Sequence, residues 1–448
     1  MFVKPQKINI ITLGCPKNIV DSEVLIKQLK SNNLELVNNS DECDTLIINT
    51  CGFIQSAKQE SLDTIMHAAK LKTEGRIKNL IVMGCLAERY SKEIREEIPE
   101  IDQCIGANKL DKVIQSLGFN LKYELLGERI LTTPHHYTYL KISEGCDRPC
   151  SFCSIPSIRG SHKSKPIEKI IEEAKYLASL GVKELILVAQ DSTYYGLDLY
   201  GKRLLGELLH KLSDIDGIEW IRLMYAFPTG FPFDILEQFK QNSKLCHYID
   251  IPFQHVSDSV LTSMKRGIKG KEIRYLINRI RSQISDIALR STLIVGYPNE
   301  DEKEFNELLD FVKEVEFERL GVFKYSQEEG TSAFDLGDPV PEEVKEERYN
   351  IIMETQREIS LKKNQNLIGK TITVLIDQVE GDVAIGRTEY DAPEIDNEVT
   401  IHNARDISVG SFYNVEIIDA DSYDLFGISA NTLIDNRKSI KMKEGMMR

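Results

Sequence analysis

The sequence has no long apolar run and no excess of positive charge. No stretch approaches the 18 or so apolar residues of a membrane span, and residues 1–7 lack the apolar stretch of a signal peptide. Acidic residues outnumber basic ones 70 to 56 in 448 residues, which gives a formal net charge of −14. A protein that binds nucleic acid mainly through phosphate contacts more often has the opposite sign. These absences predict an acidic cytoplasmic protein that does not enter a membrane.

The sequence also lacks the motifs of side-chain catalysis. It contains no Ser–His–Asp set and no phosphate-cradling glycine loop of the P-loop type. We therefore assign no catalytic acid, base or nucleophile. What it does have is nine cysteines, an odd number in a long chain. Cytosolic thiols stay reduced, and clustered ones bind metal more often than they form disulfides.

The first part of the chain alternates β-branched runs with amphipathic helical patterns. The chain is long enough for about three domains, and 42% of its residues are hydrophobic, so each can bury a core. Buried parallel strands are predicted at 8–13, 45–49, 80–83 and 103–106, and helices at 20–29, 56–71, 91–98 and 110–117. This order predicts a doubly wound parallel-sheet α/β domain over residues 1–125.

The same strand–helix alternation continues in the middle of the chain. Strands are predicted at 137–142, 184–189, 220–224, 247–251, 289–295 and 321–325, with amphipathic helices between them. Six units are too few for a closed eightfold barrel, so we expect a partial (β/α) TIM-like barrel. Its limits are set at 132–363, where a charged helical connector ends the pattern.

From residue 369 onward the hydrophobic pattern changes to a period of two. Short strands are predicted at 371–377, 383–388, 398–401 and 413–420, separated by glycine or acidic turns. This pattern indicates a small all-β barrel over residues 364–432. The tail after residue 436 is expected to be mobile.

The clearest motif is the CxxxCxxC run at 146–153, which contains Cys146, Cys150 and Cys153. Three thiolates this close on one loop can converge on an iron–sulfur cube, because soft sulfur ligands suit iron. A four-iron cluster needs four ligands, so one iron is left open to a small molecule. The alternative is a zinc loop, but structural zinc prefers four protein ligands, and His162 is the nearest histidine.

A CxxxCxxC run just after the first strand of a partial barrel resembles the radical S-adenosylmethionine (SAM) family. In that family the open iron holds the amino and carboxylate groups of SAM, and the reduced cluster cleaves SAM to a 5′-deoxyadenosyl radical. The resemblance implies that Phe152, between the last two cysteines, lies beside the adenine. A hydrophobic lid over the cluster is the alternative role for Phe152.

A second set of cysteines lies in the first domain. Cys15, Cys51 and Cys85 each follow one of the three clearest predicted strands, and each has a glycine neighbour. Parallel strands end on one edge of a sheet, so the three sulfurs can meet there, and the glycines allow close approach to a bulky ligand. Buried structural thiols are the alternative. The remaining cysteines, Cys43, Cys104 and Cys246, are read as small buried hydrophobes.

Two open three-cysteine sites beside a terminal β-barrel resemble the methylthiotransferases over almost the whole chain. That family combines an N-terminal domain carrying a second cluster, a radical SAM domain, and a TRAM barrel that contacts the substrate. Four short sequence motifs resemble those of the branch that modifies a ribosomal protein: GCPKN at 14–18, NTCGFI at 49–54, GCLAERY at 84–90 and AQDS at 189–192. The tRNA-modifying branch tends to have Gln-Met where this chain has Pro16-Lys17.

The resemblance implies two 4Fe-4S clusters, SAM and an electron donor. The implied substrate is an aspartate β-carbon in the small-subunit ribosomal protein of the decoding centre, either free or in the ribosome. Two alternatives remain: the same chemistry on a tRNA adenosine, and a non-catalytic two-cluster electron-transfer protein. The second leaves the missing fourth ligand unexplained, because electron carriers normally saturate their irons with cysteine.

The charge of the C-terminal barrel favours a protein substrate. Residues 364–428 contain three basic and thirteen acidic side chains. Such a surface repels the phosphates of tRNA and attracts a basic ribosomal protein. We expect Asp391, Glu394, Asp396 and Glu398 to take part in this attraction.

Overall fold

The computed structural model describes residues 6–433, and the tail expected to be mobile lies outside this range. None of its helices is both long and apolar enough to cross a membrane. Four single-turn 3-10 helices lie among the described residues, at Ser40–Glu42, Tyr123–Leu125, Ser192–Tyr194 and Phe334–Leu336.

The N-terminal domain is a parallel sheet with helices on both faces. Its elements are β1 (Lys7–Thr12), α1 (Pro16–Ser31), β2 (Glu35–Leu36), β3 (Thr45–Thr50), α2 (Gln55–Thr73), β4 (Asn79–Gly84), α3 (Cys85–Glu97), β5 (Gln103–Gly106) and α4 (Leu110–Ser116). The strand order is β2-β1-β3-β4-β5. On β3, Leu46 and Ile48 pack under α2 and α3, whereas Ile47 packs under α1 and α4. The expected doubly wound domain is therefore confirmed.

The central domain is an open sheet of six parallel strands. Its elements are β6 (Tyr137–Lys141), β7 (Ser143–Glu144), α5 (Ile155–Arg159), β8 (Lys163–Ser164), α6 (Ile167–Ser179), β9 (Glu184–Val188), α7 (Leu197–Tyr200), α8 (Leu205–Ser213), β10 (Trp220–Leu223), α9 (Ile235–Gln241), β11 (Leu245–Asp250), α10 (Asp258–Ser263), α11 (Gly270–Gln283), β12 (Ala288–Val295), α12 (Glu302–Val315), β13 (Arg319–Lys324) and α13 (Glu342–Gln365). The order β13-β12-β11-β10-β9-β6 follows the chain without interruption, as in a partial barrel.

The C-terminal domain is a closed five-stranded barrel. It contains β14 (Thr371–Glu380), β15 (Val383–Arg387), β16 (Val399–His402), β17 (Phe412–Ala420) and β18 (Leu425–Leu433), in the order β14-β15-β16-β18-β17. The sequence predicted four of these strands and missed β18. That strand closes the barrel by pairing parallel to β16 and antiparallel to β17.

This barrel packs against the inner face of the six-stranded sheet. Phe412 of β17 lies with its ring centroid 4.9 Å from that of Trp220, and Leu375 joins the same buried group as Tyr137 and Tyr248. A buried ion pair crosses the contact, since Arg387 of β15 reaches Glu184 of β9 at 2.9 Å; Asp377 of the same small barrel pairs with Arg387 at 2.6 Å. The small barrel thus fills the side that a partial barrel leaves open.

The expectation that Asp391 and Asp396 face a partner is wrong. Asp391 accepts a hydrogen bond from Arg319 at 2.8 Å, and Asp396 pairs with Arg290 at 3.3 Å and accepts from the Tyr248 hydroxyl at 2.7 Å. Both carboxylates are buried against the central domain, because ionised groups leave water only where opposite charges meet them. Glu394 and Glu398 are exposed, as expected.

Candidate functional site

The first three-cysteine site lies on the loop that follows β6 and β7, at the carboxyl end of the first strand. Cys146 is buried, and Cys150 and Cys153 are partly exposed. Burial raises the pKa of the Cys146 thiol to about 11 and that of Cys153 to about 12, with a smaller upward effect from the neighbouring cysteines. The three thiols are therefore near neighbours in a site that favours their protonated form unless a cation binds them.

Contacts with the sheet hold this loop in place. The Arg266 guanidinium donates to the Cys150 Sγ at 3.2 Å. Arg148, within the run, donates from Nε to Asp191 at 2.7 Å and lies 4.1 Å from the centroid of the Phe227 ring. The Ser151 hydroxyl lies 2.9 Å from the Tyr297 hydroxyl. Loop residues on both sides of Cys150 are thus fixed to neighbouring strand ends.

Phe152 packs between the cysteine loop and the end of the sheet. It is half-buried and contacts a buried group that includes Met264, Ile294, Tyr297 and Tyr325. Its ring therefore has a fixed position next to Cys150 and Cys153.

The second three-cysteine site lies at the carboxyl edge of the N-terminal sheet. Cys15 is the N-cap residue of α1, Cys51 directly follows β3, and Cys85 is the first residue of α3. The sequence predicted that these two helices begin at 20 and 91, but they begin at 16 and 85. The turns that carry Cys15 and Cys85 are therefore shorter than expected. In α1 the early start is favoured by Pro16, because proline suits the first turn of a helix.

Glycines allow these cysteine turns to approach each other. A Cβ on Gly14 would lie 2.6 Å from the Cys51 Cβ and 3.0 Å from its Sγ, and one on Gly52 would lie 2.8 Å from the Leu86 backbone. The sequence predicted that these glycines make room for a ligand. In the protein itself, they make room for the neighbouring cysteine turn.

Arg159, at the end of α5 in the central domain, reaches into this second site. Its guanidinium pairs with Asp21 at 2.9 Å and Glu144 at 3.2 Å, and its positive charge acts on the Cys85 thiol. Burial raises the pKa of Cys51, and that of Cys85 to about 11, while Arg159 opposes both shifts. Sequence analysis assigned Arg159 no role, since no local pattern indicates a contact across two domains.

The two donor sets fit a group larger than one ion. Within residues 6–433, no three His, Cys, Asp or Glu side chains are grouped closely enough to hold a single metal ion. His162, the histidine considered for a zinc site, has its Nε2 3.2 Å from the Ser164 hydroxyl and its ring against Tyr194. Three neighbouring thiols at each site are the ligand type of an iron–sulfur cluster.

Gly296 and His255, which lie after strands of the central sheet, both make close contacts inside the central domain. Gly296 lies against Lys345 of α13, where an added Cβ would come 2.3 Å from that side chain. His255 is buried, with its Nε2 3.2 Å from Glu300 and its Nδ1 accepting from the Ser257 amide. Cys43 and Cys246 are buried as expected, whereas Cys104 is partly exposed.

The architecture and the cysteine loop define a radical SAM protein with an additional N-terminal domain and a C-terminal TRAM barrel. Residues 7–106 match the model of Uncharacterized protein family UPF0004, residues 140–312 that of the Radical SAM superfamily, and residues 368–429 that of the TRAM domain. A solved structure with a similar fold is the radical SAM methyltransferase TsrM from Kitasatospora setae. It has a TM-score of 0.56 and 11% identity, with coverage of 84% of this chain and 79% of TsrM.

Curated relatives identify the particular family. A ribosomal protein uS12 methylthiotransferase RimO from Christiangramia forsetii is 51% identical, with 98% of both chains covered. The RimO of Chloroherpeton thalassium is 52% identical, with 95% of this chain and 99% of the relative covered. The chain belongs to the RimO family of radical SAM methylthiotransferases.

Proposed function

We propose that this protein transfers a methylthio group to the β-carbon of an aspartate in ribosomal protein uS12. The observation that carries the proposal is identity of 51–52% over nearly the full length of relatives named for this activity. A hydrogen on an unactivated carbon is beyond the reach of side-chain bases, so a radical-generating cofactor is required. The absence of an acid–base or nucleophilic set in the sequence is consistent with that requirement.

We further propose that each three-cysteine site holds one 4Fe-4S cluster. Cys146, Cys150 and Cys153 would bind the first, and Cys15, Cys51 and Cys85 the second, within domains that we place at 1–125 and 132–363. When bound, these clusters supply the electron that cleaves SAM and the position from which sulfur is transferred.

Neighbouring side chains support this assignment. Arg266 donates a charge-assisted hydrogen bond to the Cys150 Sγ, and the positive charge of Arg159 opposes the rise in the pKa of Cys85. Phe152 has an apolar ring fixed beside the first site, where it can pack on the adenine of SAM. Cys51 and Cys85 are buried, so the protein excludes water from much of the second site.

The third domain, which we place at 364–432, would attract uS12 through its exposed acids. Asp377, Asp391 and Asp396 hold the barrel in place, but Glu380, Glu398, Glu416 and Asp419 are exposed. Ribosomal proteins are usually basic, so these acids would speed encounter and repel tRNA. We also propose an external electron donor and a cytoplasmic site of action.

One experiment tests the substrate directly. The chain is reconstituted with iron and sulfide under argon, then incubated with SAM and reductant together with ribosomes, free uS12 or bulk tRNA. We expect mass spectrometry to find a methylthio group on an aspartate of uS12 and none on tRNA. Modification of tRNA with unmodified uS12 would overturn the proposal.

A further inference from the structure

Two buried lysines of the described chain have contrasting surroundings. Lys345 is 2% exposed and its ammonium group bonds Asp338 at 2.6 Å and the Tyr325 carbonyl at 3.2 Å. Lys17 is 7% exposed, but within residues 6–433 its ammonium group makes no hydrogen bond and no ion pair. The side chain is buried, but its Nζ is not among the fully enclosed polar atoms, so a ligand can reach an ammonium group that has no charged partner in the part of the chain that the structure describes.

The contact that Lys17 does make is with an aromatic ring. Its Nζ lies 3.4 Å from the centroid of the Tyr225 ring. A ring face attracts a cation but accepts none of the three hydrogen bonds that an ammonium can donate. Lys17 also stands in the first turn of α1, where the helix dipole disfavours positive charge. Neither neighbour accounts for a lysine at this position.

Lys17 lies next to the second three-cysteine site and contacts a residue at the carboxyl end of the central sheet. Cys15 precedes it by two residues, and Tyr225 follows β10 at the carboxyl end of the central sheet. The Tyr225 carbonyl accepts from the Ser192 amide at 3.0 Å, and the adjacent Asp191 bonds Arg148 of the first cysteine loop. The lysine therefore lies at the seam where groups from both sites can meet a substrate.

Balancing the charge of the second site is not a sufficient role for Lys17. Arg159 already brings a positive charge from the central domain into that site, where it pairs with Asp21 at 2.9 Å and Glu144 at 3.2 Å. Lys17 instead points its charge to the Tyr225 ring on the central domain.

We propose that Lys17 binds the side-chain carboxylate of the substrate aspartate, an inference that rests on the proposed function. A carboxylate on the Lys17 ammonium would supply the missing hydrogen bonds and the missing opposite charge. It would also hold the adjacent β-carbon in the seam between the two sites. A neutral amide or a nucleobase could accept a hydrogen bond but would leave the positive charge of the ammonium group unbalanced, so Lys17 would favour aspartate.

A double-substitution cycle tests this pairing through binding, without turnover. The reconstituted protein and its Lys17→Met variant, with SAM but no reductant, are titrated with uS12 and with uS12 in which the target aspartate is changed to asparagine. We expect Lys17→Met alone, and the change of the target aspartate to asparagine alone, each to weaken binding by about tenfold. The two changes together should weaken binding little more than either one alone. Lys17→Arg should retain part of the preference for aspartate.

Two controls separate pairing from general damage. Lys271→Met removes the same charge from an exposed position on α11 and should leave both affinities unchanged. Iron content and thermal unfolding show whether Lys17→Met is folded and loaded. If a folded, loaded Lys17→Met variant loses equal affinity for both forms of uS12, or none, the pairing is wrong. If the unsubstituted protein binds neither form, the proposed function itself fails.

Discussion

The two three-cysteine sites are assembled in opposite ways. Cys146, Cys150 and Cys153 are neighbours in an eight-residue loop, so the local course of the chain brings their thiols together. Cys15, Cys51 and Cys85 are separated by many residues and meet because β1, β3 and β4 lie side by side in register. The first site depends on a loop, whereas the second depends on the folding of a whole domain.

The sites also share a feature that links them. Each has one guanidinium of the central domain: Arg266 donates to Cys150 in the first, and Arg159 pairs with Asp21 of α1 beside the second. A second contact between the N-terminal and central domains lies nearby. Glu328 of the central domain pairs with Arg89 at 2.9 Å, and Arg89 donates to the Gly52 carbonyl at 2.8 Å. The dispersed site is therefore held both by its own sheet and by the neighbouring domain.

The largest expected effect separates the chemical roles of the two sites. Cys150→Ala should abolish 5′-deoxyadenosine formation, because two thiolates cannot hold the first cluster. Cys51→Ala should spare that cleavage but prevent methylthio transfer to uS12. Both products are measured by mass spectrometry in reactions with SAM and reductant.

The matched control is Cys246→Ala, which removes a buried thiol outside both sites. It should lose some stability through the small cavity but keep both reactions. If the Cys51 variant still modified uS12 fully, the second site would not be required for sulfur transfer.

The contrast between the sites also explains what the sequence could reveal. The CxxxCxxC spacing is a local signal, and it identified the first site without knowledge of the fold. The second site required one more step, namely that parallel strands end on one edge of a sheet. That step used short β-branched runs, such as 45–49, whose residues are fully buried.

Contacts between domains are not marked by any local spacing or strand pattern in the sequence. Arg159, Lys17 and Arg387 were not identified as contacts, because ion pairs and ring contacts between distant segments follow no sequence period. Strand β18 was missed for a related reason. Its sequence, LFGISANTL, has a glycine in its first half and no regular alternation, and barrel closure determines its structure.

A second prediction tests whether each guanidinium serves its own site. Removing Arg159 leaves the partly buried Asp21 and Glu144 paired with Lys141 alone within the described residues, so Arg159→Met should cost about 1.5–3 kcal/mol of unfolding free energy. It should lower the iron bound by the second site in a Cys150→Ala background. Arg266→Met should lower the iron bound by the first site in a Cys51→Ala background.

An exposed arginine provides the comparison. Arg357→Met breaks a surface pair with Glu354 and should change the unfolding free energy by about 0–1 kcal/mol with no loss of iron. The assignment of one guanidinium to each site would be refuted by equal iron losses at both sites in the Arg159 and Arg266 variants.

The smallest expected effect concerns the close approach of turns in the second site. Gly14 and Gly118 lie in the same domain with positive φ values of 89° and 85°. Nothing lies within 4 Å of a Cβ on Gly118, so Gly118→Ala should cost only the backbone strain, about 1–2 kcal/mol. Gly14→Ala has the same strain and also displaces Cys51. Its loss of unfolding free energy should therefore exceed that of Gly118→Ala by about 1–3 kcal/mol. Chemical denaturation under argon measures both losses, and iron analysis should find the second site depleted in the Gly14 variant alone. Equal losses with full iron in both variants would mean that the turn at Cys15 can shift without disturbing Cys51.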